Sequence, residues 1–151
     1  MINFQPISNV LGALLALLGL LMVLVGIGFY VVDDNTLWAF GKSGIVTMFI
    51  GLLLYVIPFG TQKNVNKREG YLIVALAWFA MVTFGSLPYY FSDVCTQFSD
   101  MFFESVSGFT TTGATIFVDI ESLPSSILLW RSLTQWIGGM GIIVLTVAIL
   151  P

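Results

Sequence analysis

Four long apolar runs, separated by short polar stretches, set the rhythm of the chain. The first, Val10 to Val32, covers roughly 23 residues, and about 20 suffice for a helix to cross the hydrocarbon core of a bilayer. The first ten residues hold no Lys or Arg, and no small-residue cleavage site follows the run. A retained helix is therefore expected rather than a cleaved leader. Gly12, Gly19, Gly26 and Gly28 along it favour close contact with a neighbouring helix. Asp33-Asp34-Asn35-Thr36 reads as a polar turn. The second run, Leu37 to Gly60, is broken only near its start by Lys42, whose head can reach the interface, and Pro58 and Gly60 mark its end. The third, Tyr71 to Phe91, is again of spanning length, with Pro88-Tyr89-Tyr90 predicting a kink and aromatic anchors at its far end. The fourth, Ser126 to Leu150, covers about 37 Å at 1.5 Å per residue, so tilt or a bend is expected.

Between the third and fourth runs the pattern changes. Ser99-Asp100 reads as a helix start, with Ser99 as N-cap and Asp100 in the first turn. The stretch that follows, to Phe109, is mostly apolar but reaches only about 15 Å, half a bilayer. Thr110-Thr111-Thr112-Gly113-Ala114-Thr115 comes next, and then a polar loop. Half a helix followed by extended chain is the pattern of a re-entrant element. Extended backbone at membrane depth is tolerated only where it is buried in protein or lines a polar cavity. Gly113 can turn its carbonyl inward, and the helix directs the negative end of its dipole toward the membrane centre. Carbonyls and dipole together suit a monovalent cation. A Thr-rich external loop is the plainer reading of the same spacing.

Composition supports a membrane protein. The 151 residues are 58% hydrophobic and 9% charged, against about 25% charged in soluble domains. His is absent, which excludes a His-based catalytic or metal site, and the single Cys95 reads as a packed, inert side chain. No nucleotide loop or nucleophile–base arrangement is seen, so no enzyme, cofactor or nucleic-acid partner is expected. Of the five basic residues, Lys63, Lys67 and Arg68 fall in the short stretch 61–70. That predicts a cytoplasmic loop and a cytoplasmic N-terminus. Asp33, Asp34, Asp93, Asp100, Asp119 and Glu121 then lie at the outer side, where acidic groups concentrate cations. Arg131, near the outer end of the fourth run, must snorkel or pair, and Glu104 is a candidate partner. Gly138-Gly139-Met140-Gly141 reads as a small-residue packing seam or as a flexible point behind the loop.

The stretch Phe102-Phe-Glu-Ser-Val-Ser-Gly-Phe-Thr-Thr-Thr-Gly-Ala-Thr115 resembles the first pore loop of the Trk/Ktr/HKT potassium-transporter superfamily. Trp130-Arg-Ser-Leu-Thr-Gln-Trp-Ile-Gly-Gly-Met-Gly141 resembles the helix that follows it there. The resemblance runs over the whole chain and is strongest to the bacterial TrkH branch. It implies an all-α integral membrane fold with two leading helices over 1–60, a basic cytoplasmic loop over 61–70, and one helix–pore loop–helix unit over 71–151. It further implies uptake of K⁺ as the transported ion, with or without coupled symport, across a bacterial inner membrane. The implied partners are membrane lipid, three further pore units, a second full-length subunit and a cytosolic nucleotide-binding TrkA-type regulator. By position, carbonyls of Thr111, Thr112, Gly113 and Ala114 face the ion, and the Thr111 hydroxyl adds an inner ligand. Thr110, Thr115, Glu104 and Arg131 support the filter, while Gly138, Gly139 and Gly141 serve packing or gating.

Two departures matter. Ala114 and Thr115 stand where potassium channels carry Tyr and Gly, so the aromatic brace of that filter is missing and looser selectivity is expected. One loop also cannot surround an ion. The close at Pro151, directly after an apolar run, reads as the N-terminal portion of a longer protein, with four copies around an axis as the alternative. The competing functions are transport of another monovalent cation such as Na⁺, which Gly113 argues against, and a non-conducting membrane assembly protein.

Overall fold

The computed structural model describes residues 4–30, 34–56 and 67–149, without the side chains of 34–35, 67–69, 142 and 144–149. Among them the regular elements are all helical: α1 (Phe4–Gly28), α2 (Asp34–Val56), α3 (Lys67–Gly85), α4 (Leu87–Phe91), α5 (Phe98–Phe109) and α6 (Ser125–Ile149). Three spans are long and apolar enough to cross a membrane: Phe4–Gly28, Thr36–Val56 and Gly70–Phe91. The 25 residues of α6 make a fourth helix of comparable length. The second helix begins at Asp34, so Asp34, Asn35 and Thr36 of the turn expected at 33–36 are helical, and Asp33 lies outside the described residues. The end expected at Pro58 and Gly60, and the basic stretch from 61 to 66, lie outside the described residues.

The first two helices pack antiparallel through glycines spaced seven residues apart. A Cβ on Gly12 would sit 2.6 Å from the Gly51 carbonyl oxygen, and one on Gly19 would sit 2.7 Å from that of Gly44. Small residues let the two backbones touch, which is how helices gain packing energy where lipid already satisfies apolar surface. Gly28 differs from the other three, since a Cβ there would meet nothing. Polar side chains turn inward and large apolar ones outward. Ser43, Thr47 and Ser8 are buried, while Leu17, Leu20, Leu24, Ile45, Phe49 and Phe79 are exposed. The Ser43 and Thr47 hydroxyls donate to the carbonyls of Ala39 and Ser43 in their own helix, and the Ser8 hydroxyl donates to the Leu54 carbonyl across the seam.

The kink expected at Pro88 falls at Ser86, a one-residue interruption whose backbone angles stay helical, φ −80° and ψ −18°. Proline has no N–H and crowds the carbonyl four residues back. The chain therefore leaves the helix after Gly85 and restarts at Leu87, with Pro88 in the first turn of α4. The Tyr89 N–H donates to the Ser86 carbonyl, and the Gly85 carbonyl accepts the Trp130 indole N–H at 3.0 Å. One carbonyl upstream of Ser86, the break is thus tied to α6. A further tie runs to α5, where the Ser105 hydroxyl donates to the Val82 carbonyl at 2.7 Å. Trp130 is fully buried and meets Phe40 of α2 edge-on at 6.0 Å, which joins the leading helices to the rest.

Replacing Gly19 by Val should force α1 and α2 apart and cost about 1–3 kcal/mol, the usual penalty of overpacking. Gly28→Ala should leave stability unchanged. Thermal unfolding of the two variants in detergent checks the contrast.

Candidate functional site

The fifth helix starts one residue before the expected Ser99. Gln97 is its N-cap, without a side-chain capping bond, and its carbonyl receives the N–H groups of Asp100 and Met101. Asp100 does lie in the first turn, and the Ser99 hydroxyl reaches its carboxylate at 3.3 Å. Twelve residues give about 18 Å, still too short to span. The helix is held on both sides. A Cβ on Gly138 would overlap the Phe109 carbonyl, and one on Gly108 would overlap the Thr134 hydroxyl. Gly138 is thus a point where α6 touches the backbone of the half-helix. Gly139 faces the Thr111 methyl, 3.8 Å from where its Cβ would be, and Gly141 faces Trp78 of α3.

The end of this helix is a Schellman turn. The Thr112 N–H reaches back to the Ser107 carbonyl at 3.0 Å, and the Thr111 N–H reaches the Gly108 carbonyl at 2.9 Å. The residue between helix and strand in such a turn must be left-handed, and glycine usually fills it. Here it is Thr111, at φ 57°. A β-branched residue is strained there, by about 1–3 kcal/mol. Gly113 follows at φ 75°, where glycine is comfortable. No regular element then follows among the described residues before α6. Thr110, Thr111, Thr112, Gly113 and Ala114 are exposed in this chain. Among the described residues the carbonyls of Thr111, Thr112 and Gly113 accept no hydrogen bond, whereas that of Ala114 accepts the Ser107 hydroxyl at 2.5 Å. The Thr110 hydroxyl donates to the Val106 carbonyl, so it is left to accept the Thr112 hydroxyl at 2.8 Å.

Behind the loop sits a buried ion pair. Glu104 is 2% exposed, and its Oε1 lies 2.8 Å from the Arg131 guanidinium. Its Oε2 accepts the Thr115 hydroxyl at 3.1 Å and the Ile116 N–H at 3.3 Å. The Thr115 oxygen in turn accepts the Phe117 N–H, and Arg131 lies over the Phe117 ring at 5.7 Å. Arg131 therefore pairs rather than snorkels. The missing aromatic brace has a charged replacement: Glu104 grips the returning strand by side chain and backbone, and Arg131 anchors Glu104 to α6. Glu104 and Ser107 stand three residues apart on one helix face, which is why both meet that strand.

Reading the sequence alone passes over Ser105, Ser107 and Trp130. Two buried serines in a short apolar helix are the signal that could have marked them, since a hydroxyl is retained in such surroundings where it has a partner. Cys95 is buried, outside the spans. Burial first, then the nearby Glu104 and Asp100 carboxylates, push its thiol up to about 11. It stays protonated at neutral pH and is a poor nucleophile or metal ligand. Among the described residues no cluster of acidic, Cys or His side chains could hold a resident metal.

Three outcomes follow. Glu104→Ala should cost about 3–5 kcal/mol in unfolding experiments, because it leaves the Arg131 charge buried without a counter-ion. Thr111→Gly should instead raise the melting temperature by relieving the left-handed threonine, while removing the hydroxyl proposed to meet the ion. Cys95 should resist iodoacetamide at neutral pH in the folded protein and react once the protein is unfolded.

Comparison with known proteins bears on the same residues. A sequence profile of the TrkH family, cation transport proteins, matches residues 38–151. The Trk system potassium uptake protein TrkH of Salmonella typhimurium strain LT2 is 42% identical over 150 residues, 99% of this chain and 31% of that protein. TrkH of Escherichia coli K12 is 41% identical over the same coverage. The crystal structure of the potassium transporter TrkH from Vibrio parahaemolyticus superposes with a TM-score of 0.91 at 38% identity, covering 99% of this chain and 32% of that one. The chain therefore spans about a third of the length of these relatives. The profile match over most of the sequence, and the shared all-helical fold, show that this integral membrane chain belongs to the TrkH family of cation transport proteins.

Proposed function

We propose that this chain forms one quarter of the ion pathway of a potassium uptake system. The observation that carries the reading is the row of unpartnered carbonyls, Thr111, Thr112 and Gly113, at the tip of a half-helix. Carbonyls left open in a polypeptide of this apolarity are costly unless something takes the place of water. A monovalent cation does so, because carbonyl dipoles replace its hydration shell and the C-terminal end of the half-helix adds negative potential. The Thr111 hydroxyl adds an inner ligand, which gives the strained threonine a purpose. Ala114 is the fourth position that the resemblance assigns to the filter, and its carbonyl already accepts the Ser107 hydroxyl. Thr110 and Thr115 hold the ends of the loop, and Glu104 with Arg131 hold its back.

The wider reading extends this. Residues 1–60 are the two leading helices, 61–70 a cytoplasmic basic stretch whose last four residues, Lys67 to Gly70, already belong to α3, and 71–151 the helix–pore loop–helix unit. Three further units complete the pore, each supplying its own loop to a shared axis. The protein resides in a bacterial inner membrane with its N-terminus in the cytoplasm, pairs as a homodimer of full-length subunits, and is regulated by a cytosolic nucleotide-binding partner of the TrkA type. It works without a resident cofactor and is a transporter, not an enzyme. The names of its relatives support potassium as the cargo.

Gly113→Ser in the assembled transporter, reconstituted in vesicles, should lower the K⁺/Na⁺ flux ratio, because a side chain would occupy the point where the backbone turns left-handed. An unchanged ratio would remove the filter assignment. If Gly138→Ala disrupted assembly while Thr111 and Gly113 variants still supported growth on low potassium, a non-conducting assembly role would take its place.

A further inference from the structure

Hydroxyls in this chain usually return to their own helix. Ser43, Thr47, Thr83, Thr110 and Ser132 each donate to the carbonyl four residues back. Ser107 is placed to do the same and does not. Its hydroxyl reaches seven residues forward, across the turn, to the Ala114 carbonyl at 2.5 Å. Its own carbonyl meanwhile accepts the Thr112 N–H at 3.0 Å and sits at the long limit, 3.5 Å, from the Gly113 N–H. Ser107 is 5% exposed, while Ala114 lies at the exposed face, so the contact runs from the packed side of α5 to the open loop. One residue of the half-helix thus holds three consecutive residues of the loop.

We propose that Ser107 is a specificity-determining positioning residue: its hydroxyl turns the Ala114 carbonyl away from the pore axis, so that in this quarter the ion meets three carbonyl levels instead of four. The inference rests on the filter reading above and refines it. A carbonyl dipole aimed at a hydroxyl behind the loop is not aimed at an ion in front of it. The residues that follow are drawn the same way, since Glu104 holds the Thr115 hydroxyl and the Ile116 N–H against the helix. The Ala114 side chain is a methyl group, so nothing bulky opposes the rotation. Potassium is distinguished from sodium by the number and field of the carbonyls that replace its water. Withholding one level loosens that distinction, and the tether sets by how much.

Ser107→Ala tests this in the assembled transporter, reconstituted in vesicles. The variant keeps the backbone acceptor for Thr112 and removes only the tether. A several-fold rise in the K⁺/Na⁺ flux ratio is expected, with Ser107→Thr, which keeps the hydroxyl, restoring the original ratio. Rubidium located by anomalous scattering in the unsubstituted protein should lie between the Thr111 and Gly113 levels, with an added position at Ala114 in Ser107→Ala. An unchanged or lowered ratio in Ser107→Ala, alongside a clear effect of Gly113→Ser, would overturn the role of Ser107 and leave the filter standing. If neither substitution moved the ratio, the filter reading itself would fall. Should Ser107→Ala not fold, rubidium seen at the Ala114 level of the unsubstituted protein would overturn the proposal, and its absence there would support it.

Discussion

The Glu104 carboxylate, buried and shared between Arg131, Thr115 and the Ile116 backbone, is the contact on which the geometry of the loop depends. Chain that leaves helical structure inside apolar surroundings carries donors and acceptors that water cannot serve. Most solutions to that problem would also consume the carbonyls. Here a side-chain carboxylate satisfies donors on the far side of the loop and leaves acceptors on the near side open. A lone buried carboxylate would be untenable, so the arrangement requires a cation behind it. The Arg131 guanidinium, nearly two turns in from the Ser125 start of α6, supplies it. Its planar fork suits a carboxylate better than an ammonium would.

The rest of the architecture serves to keep the half-helix where Glu104 can act. Pro88 breaks the third helix, the break frees the Gly85 carbonyl, and Trp130 captures it. Ser105 ties the half-helix to the same helix one turn earlier, and Gly138 lets α6 touch its last carbonyl. Trp130 in turn leans on Phe40, so the glycine seam between α1 and α2 stands as a buttress behind the pore unit. Stiffness is the common result. Apart from the Glu104–Arg131 pair, the hydrogen bonds and glycine contacts that hold α5 use backbone or short hydroxyls, groups with little freedom to lose.

Among the described residues two non-glycine residues are left-handed, Asp93 at φ 56° and Thr111 at φ 57°, and the β-branched Thr111 is the more strained. A glycine there would relax the Schellman turn at no cost to the helix, yet the position holds a threonine beside three other hydroxyl-bearing residues. Strained backbone at the point where open carbonyls begin is what a preorganised ligand site looks like. The same turn is fixed from behind by Ser107, so that ion-facing and helix-facing oxygens are sorted by one short stretch of α5.

Hydrophobic run lengths were enough to read four long helices and one that is too short, because the thickness of a bilayer acts on every residue in the same way. Twin motifs in the right order, around Thr110–Thr115 and Trp130–Gly141, were enough to point to the family, and Gly12, Gly19 and Gly26 announced a close helix contact. What the chain could not announce was direction. Whether Arg131 reaches outward or inward depends on where Glu104 arrives in space, 27 positions earlier in the sequence. Whether Pro88 bends or breaks a helix depends on whether a neighbour stands ready to take the released carbonyl, and Trp130 does. Gly28 looks like its fellows in sequence, but it is two positions past Gly26, about 200° around the helix, and faces away from the seam. Ser107 looks like any helix serine until the strand comes back past it. Local pattern decides which segments are helical and which must leave the helix. Only the packed fold decides which oxygen meets a donor and which is left for an ion, because that choice is made by atoms far apart in the chain.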